Sequence, residues 1–515
     1  MMMPHYFAVV ELSRWQFAFT ALFHFLFVPL TLGLTWILVA METCYVWTND
    51  TLYKDMTKFW GKLLAINFAI GVISGITMEF EFGLNWAYFS RMIGGSFGPI
   101  LAIEGITAFM LEATMFGLFF FGWDKLSKRA HWVVTFFMAF GASLSIVNIL
   151  AANSWMQHPT HTQLNYQNMS LELSSIAGLY LNHLAQIRIG HVAFAGFVVA
   201  SIFVMGISAY YLLQNRDAVF ATRSFIIGAG FGLVCAAFLA FFGDQNGLEV
   251  AQNEPEKMAA IEAQWQTQPP PVAWYVLAWP NQATETNGFT LAIPYGLSLI
   301  ATHTLDGTVE GIAPIVEKYK ARIRDGIHAY TALEKLWQNP KDASALLTYR
   351  QHENNLGFAY LLTPFTEDIA HASDENITAA AKSGIPNVFI SFWAFRIMIG
   401  IWMILFILFI AGIIFAKRGT LTRHPFFLRC CVWSIPLPYL AAEAGWVLAE
   451  TGRQPWAVHD ILPTFMGISS LQLSDLVTSL VLFVLFYGAL ISIELFLMFK
   501  FARKGPSSIT EAQHV

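Results

Sequence analysis

The stretch "WQFAFTALFHFLFVPLTLGLTWILVAME", residues 15–42, decides the fold. From Trp15 to Ala40 it contains no Asp, Glu, Lys or Arg. A helix of roughly 20 mostly apolar residues crosses a bilayer, so this run reads as a transmembrane helix. Eight similar runs lie near 59–84, 95–123, 131–153, 189–213, 222–243, 387–416, 427–449 and 470–499. Composition agrees, with 56% hydrophobic and 12% charged residues, whereas soluble domains carry about 25% charged residues. The expectation is an all-α integral membrane protein with nine transmembrane helices.

Residues 244–386 differ in composition. They hold Pro269-Pro270-Pro271, the charged and helical-looking "EKYKARIRDGIHAYTALEKLW" (317–337), and "IPYGLSLIA" (293–301), which is too short to span. The chain therefore divides into a six-helix region (1–243), a water-exposed segment (244–386) and a three-helix region (387–515). Loops after odd-numbered spans carry Lys54, Lys58, Lys125, Lys128, Arg129, Arg216, Arg223, Lys417, Arg418, Arg423 and Arg429, and the chain end adds Lys500, Arg503 and Lys504. Short segments on the other side hold only Arg14, Arg91, Arg188 and Arg453. Basic residues favour the cytoplasmic side, which predicts the N-terminus outside, the C-terminus inside and the 244–386 segment outside. The net charge of −5 gives no support for nucleic-acid binding. Cys44, Cys235, Cys430 and Cys431 show no metal-ligand spacing. No removable signal peptide and no internal repeat are expected.

Ionisable groups within membrane helices are costly and mark pathways or cofactors. His24 lies about nine residues into the first span and His191 near the outer start of the fifth, at ~1.5 Å per residue. Met398 lies roughly three turns into the seventh span and Glu450 closes the eighth, on the same rise. Two imidazoles, a thioether and a carboxylate make a poor zinc set, whereas His plus Met suits an axial pair for low-spin haem. The bland alternative is hydrogen-bonded core histidines and a gap-filling methionine.

On the third span, "LAIEGITAFMLEATMFG" places Glu104 and Glu112 ~12 Å apart along the axis and roughly 80° apart around it. Such groups, with Ser145 of the fourth span, suit a proton relay; the alternative is carboxyls held protonated or paired for structure. Arg396 and Arg453 could hold carboxylates through bidentate contacts or anchor at the interface, and the deeper Arg396 favours a buried partner.

With these residues located, the sequence closely resembles subunit I of the cytochrome bd-type quinol oxidases over essentially the whole chain. The resemblance is carried by "ELSRWQFAFTALFHFLFVPLTLGL", "GPILAIEGITAFMLEATMFGLFFFGWD", "IRIGHVAF", "FRIMIG" and "EAGWVLAETGRQPW". It implies two haem b groups, one low-spin and one high-spin, and one haem d. His191 and Met398 would ligate the low-spin haem b, His24 haem d, and Glu450 the high-spin haem b. Trp446 would sit between haems, with Arg453 as countercharge near haem carboxylates. Glu104 would lie beside the oxygen site, with Glu112 and Ser145 on the proton route to it. The 244–386 segment resembles the family's long quinol-binding loop, in which Lys257 and Glu262 match residues tied to quinol oxidation. From composition alone both would be solvent-exposed charges. Gln245 and Glu81 depart from the resemblance, standing where relatives carry Glu and Gln.

The implied activity is quinol oxidation at the outer face and reduction of O2 to water with protons from inside, without pumping. The implied setting is the bacterial cytoplasmic (inner) membrane, with membrane lipid, a second large subunit and small single-helix accessory subunits as partners. A proton-coupled transporter is the alternative of a different class. An oxidase of the same type with haem b replacing haem d is the nearer one.

Overall fold

The computed structural model describes residues 4–506. The outer limits of the expected first and last regions, 1–3 and 507–515, lie outside these described residues. Among the described residues, nine helices are long and apolar enough to cross a membrane, as the hydropathy pattern predicts.

Three of them are interrupted, each with a local cause. The first span is two helices, Pro4–Phe25 and Val28–Thr48. Pro29 has no N–H to donate and its ring opposes the carbonyl four residues earlier, so the ladder breaks just below His24. Asn67 of the second span (Thr51–Leu84) donates from Nδ2 to the Phe27 carbonyl at 2.7 Å and to Thr31 Oγ1 at 2.8 Å, supplying partners at the break. The third span runs Ala87–Ile103, then a π-helical turn Glu104–Phe109, then Met110–Phe121. The eighth is broken around Pro436 into Pro425–Trp433 and Leu437–Thr451.

The remaining spans are Lys128–Gln157, His183–Leu213, Ala218–Asn253, Val388–Lys417 and Leu473–Lys504. The sixth continues as helix through Asn253 rather than ending at 243. Asn387 starts the seventh, its side chain accepting from the Ile390 N–H at 3.0 Å. The first and fifth spans cross where a Cβ on Gly33 would lie 2.4 Å from the Gly196 carbonyl oxygen. Only a residue without a side chain allows helices that close, a common device between membrane helices.

Residues 254–387 form a packed layer at one end of the bundle, the loop-bearing end. It contains the short helix Pro255–Ile261, an antiparallel hairpin of Trp274–Asn281 with Thr286–Ile293 (Trp274 opposite Ile293), and the helix Ile312–Gln338. The charged stretch 317–337 lies within that last helix, and 293–301 yields only the seven-residue helix Gly296–Thr302. The layer's apolar core joins Ala259, Ile315, Tyr319 and Phe358 to Val388 and Phe392 of the seventh span and to Trp456. Burying apolar area stabilises by about 25 cal/mol per Å², so this shared core fastens the layer to the helices.

Candidate functional site

Two of the expected ligands, His24 and Glu450, are held by side chains of neighbouring helices. His24 ends the first helix, and its Nδ1 lies 2.9 Å from Ser74 Oγ on the second span. Ser74 Oγ also lies 2.9 Å from the Gly71 carbonyl; when its one proton goes there, Nδ1 carries hydrogen, donates to Ser74 and leaves the Nε2 lone pair free. His191, on the fifth span, has a buried Nδ1 with no hydrogen-bond partner. The glycines opposite are placed alike. A Cβ on Gly75 would come within 3.0 Å of the His24 ring, one on Gly243 within 3.3 Å of His191, and one on Gly445 within 3.3 Å of Met398 Sδ. Trp446 packs edge-on against Phe25, with ring centroids 5.0 Å apart, and against the cluster of Leu32, Ile146 and Leu150. It therefore stands between the first, fourth and fifth spans.

Glu450 closes its helix paired to Arg453, whose other arm donates to the Ala457 carbonyl at 3.0 Å. Glu450 also begins a chain of polar contacts, leading into the buried Gln157 and Lys257, that sequence reasoning missed. Asn153 donates to Glu450 Oε1 at 2.9 Å, and Gln157 donates to Asn153 Oδ1 at 3.1 Å. Lys257 donates to Gln157 Oε1 at 2.7 Å and pairs with Glu254, and Arg188 donates to Glu254 at 2.7 Å. The available signal was Asn153 and Gln157 one helical turn apart at the end of an apolar helix.

Lys257 and Glu262, solvent-exposed on a compositional reading, are each 2% exposed. The physical reason is pairing. Glu262 accepts from Arg396 Nη2 at 2.6 Å, while that guanidinium also donates to the Tyr275 carbonyl at 2.7 Å and stacks on Phe392. Arg396 thus has its buried partner, and that partner belongs to the loop. Burial holds the Lys257 ammonium below its usual range, opposed by Glu254. Burial likewise raises Glu262, opposed by Arg396. Burial would raise Glu254 too, but Lys257 and Arg188 outweigh it and pull this carboxyl down to about 2. Asp244 and Gln245 are partly exposed: Asp244 Oδ1 meets His303 Nε2 at 3.1 Å, and Gln245 donates to Asp244 at 3.2 Å.

On the third span Ser145 donates to Glu104 Oε1 at 2.7 Å, and Glu112 is buried with Oε1 unpartnered. Gly141 of the fourth span lets the Glu112 backbone approach; a Cβ there would lie 3.1 Å from its nitrogen. The π turn between the two acids changes their geometry. It inserts one extra residue into the helix, so an offset of roughly 80° closes to about 20°. The two carboxyls share one face, toward the fourth span.

The profile of the family described as cytochrome bd terminal oxidase subunit I matches residues 12–506. The chain belongs to that family. It is 44% identical over 505 residues to the cytochrome bd-II ubiquinol oxidase subunit 1 of Escherichia coli, covering 98% of each chain. It is 32% identical to the cytochrome bd ubiquinol oxidase subunit 1 of Bacillus subtilis, covering 96% of this chain and 93% of that one. Its fold matches the bd oxidase structure from Geobacillus thermodenitrificans with a TM-score of 0.77 at 21% identity, over 98% of this chain and 100% of that chain.

A cytochrome bd oxidase subunit carries haem, and the donor set fits that group. Among the described residues no three His, Cys, Asp or Glu side chains converge as a metal cage. The candidate donors are instead separate side chains on different helices. Such single donors would suit a haem, which would bring its remaining iron donors itself. His24, its Nδ1 engaged by Ser74, has Nε2 to offer such a group, and Glu450, even with Asn153 and Arg453 attached, retains free lone pairs.

Proposed function

We propose that this chain is the haem-bearing subunit of a terminal quinol oxidase of the inner membrane, paired with a second large subunit and small single-helix subunits. The observation that supports the site assignment is the contact of His24 Nδ1 with Ser74, which engages one imidazole nitrogen and leaves Nε2 available for a ligand. His191 and Met398 hold a low-spin haem b, His24 a haem d, and Glu450 a high-spin haem b. When bound, these groups carry the electrons and reduce O2 to water.

The chain's own residues do the rest. Residues 244–386 form the quinol-binding loop on the outer face. Lys257 orients a quinol oxygen, and Glu262, its carboxyl raised by burial, accepts a quinol proton. Trp446 keeps an aromatic contact between the haem sites. Arg453 supplies positive charge beside Glu450 and the haem carboxylates. Glu112 and Glu104, on one face and with Glu104 joined to Ser145, pass protons from the inner side. Protons released outside and taken from inside separate charge without a pump. Family membership sets the transporter reading aside. An oxidase with haem b in place of haem d uses the same ligand types and remains the second reading.

The test is a reduced-minus-oxidised optical spectrum of the purified oxidase with its partner subunits. A far-red chlorin band beside b-type bands is expected. Only b-type bands would favour the second reading, and no haem in folded protein would overturn both.

A further inference from the structure

The first helix carries Ser13, Gln16, Thr20 and His24 at helical spacing along one face, and the second span carries Ser74, Thr77 and Glu81 in the same way. Ser13, Gln16, Thr20, Ser74 and Glu81 are all at most 1% exposed. A polar stripe buried this deeply in membrane helices is costly, and such stripes mark pathways. It lies apart from the acids of the third span and from the chain between Glu450 and Lys257.

The contacts join the two stripes into a file. Thr20 Oγ1 lies 2.6 Å from Glu81 Oε1 and 3.0 Å from the Gln16 carbonyl, and its single proton serves one of them at a time. With Glu81 protonated, the carboxyl donates to Thr20 and Thr20 donates to the carbonyl. With Glu81 ionised, Thr20 turns to the carboxylate. Two hydrogen-bond orders in one pair are what a proton-passing link needs.

Deeper in the bundle, Tyr487 of the ninth span has its hydroxyl 2.7 Å from Thr77 Oγ1 and facing Thr20, and below it Ser74 meets His24. Phe23 stacks on Tyr487 with ring centroids 4.4 Å apart and holds it there. Toward the loop-bearing end, Ser479 donates to Gln16 Oε1 at 2.9 Å. Ser13 Oγ is buried there without a partner, and Gln16 Nε2 and Glu81 Oε2, which face each other, complete no hydrogen bond of good geometry. Unsatisfied polar atoms gathered at one end of a file mark positions for ordered water. The groups facing Glu81 are Gln16 and Thr20 from the first helix and Tyr487 from the ninth span, none of them a cation.

We infer that Glu81 is a proton-exchanging carboxyl, filled by water from the loop-bearing end past Ser13 and Gln16, that answers charge arriving at the His24 site. The link to that site runs through Thr20, Tyr487, Thr77 and Ser74. The inference rests on His24 serving a haem. Electrons and protons balance one to one. For each electron drawn from quinol that rests at the His24 site, the Glu81 carboxylate takes one proton from loop-side water. It returns that proton when the electron moves on.

Redox-induced infrared difference spectra of the assembled oxidase test this. The wild type should show a carboxyl C=O band that shifts in D2O, and Glu81→Gln should lose it while keeping the haem optical spectrum. An unchanged carboxyl region in Glu81→Gln would overturn the inference. Should that variant not assemble, Thr20→Val serves instead. It should shift the same band by removing its hydrogen-bond partner, and an unmoved band would overturn the inference. Gln16→Leu, which closes the water end, should keep the band but slow its deuterium exchange at least tenfold; unchanged exchange would overturn the route. Absence of any haem redox signal would instead overturn the assignment of His24.

Discussion

At the residue scale, the decisive details are second partners rather than the ligands themselves. Ser74 engages Nδ1 of His24, and such supporting hydrogen bonds are worth about 10–100-fold in metal affinity. Ser74→Ala should lower haem retention at the His24 site by that order, read as haem per protein after detergent washing; full retention would show that another group sets the tautomer. His459, beyond the eighth span, is a second case. Burial pulls its pKa down, but the Glu256 carboxylate at 2.9 Å, with Asp460 and Glu254 facing it as well, pushes it up to about 9 from an ordinary 6.5. A raised pKa stabilises fully below the unfolded value and is lost as pH rises through the folded one. His459→Gln should therefore cost about 3 kcal/mol below pH 6.5 and little above pH 9. Unfolding or hydrogen exchange of the loop layer at both pH values checks this, and a pH-independent difference would exclude titration of His459 as the cause.

At the element scale, the π turn is the informative irregularity. Apolar periodicity finds the third span but not the inserted residue, because Glu104–Phe109 is as apolar as its neighbours apart from Glu104 itself. Inserting an alanine between Phe109 and Met110 should leave the π turn in place and turn Glu112 by about 100° relative to Glu104. Oxygen reduction should then slow on the order of 10²-fold, as for loss of a positioned proton carrier, with haem content unchanged. Stopped-flow reaction of the reduced oxidase with oxygen would show it, and a wild-type rate would mean that the shared face of the two acids is dispensable. The break at Pro29 is different, since proline announces it in the sequence. Its consequence, Asn67 reaching over to the Phe27 carbonyl, is visible only between helices.

At the scale of the whole molecule, the loop layer and the helix bundle are one packed body. Arg396 of the seventh span grips Glu262, and Lys257 grips Gln157 of the fourth span. Lys257, one of the two residues matched to quinol chemistry, thereby connects to Glu450 through Gln157 and Asn153. Oxygen chemistry and quinol oxidation nevertheless draw on separate acids. Glu104→Ala should slow reduction of oxygen by about 10²–10⁴-fold while quinol still reduces the low-spin haem at near its original rate. Stopped-flow kinetics at the two haem signatures separate the steps, and equal slowing of both would end the relay assignment.

Hydropathy, set by roughly 20-residue apolar runs, determined the nine spans from the sequence alone, because burial in lipid depends on composition over a length and not on which neighbour is present. The long motifs around His24, Glu104, His191, Met398 and Glu450 likewise identified the family in the sequence, by resemblance. The tertiary structure alone decided what each charge meets. Lys257 and Glu262 read as solvated charges and are buried, because their partners Glu254, Gln157 and Arg396 come from other elements or from a turn that composition does not reveal. The same holds for Ser74 beneath His24, Asn153 on Glu450 and Thr20 on Glu81. A hydrogen bond depends on placement to within a few tenths of an ångström. Placement between helices far apart in sequence is fixed by packing, and no local pattern encodes it.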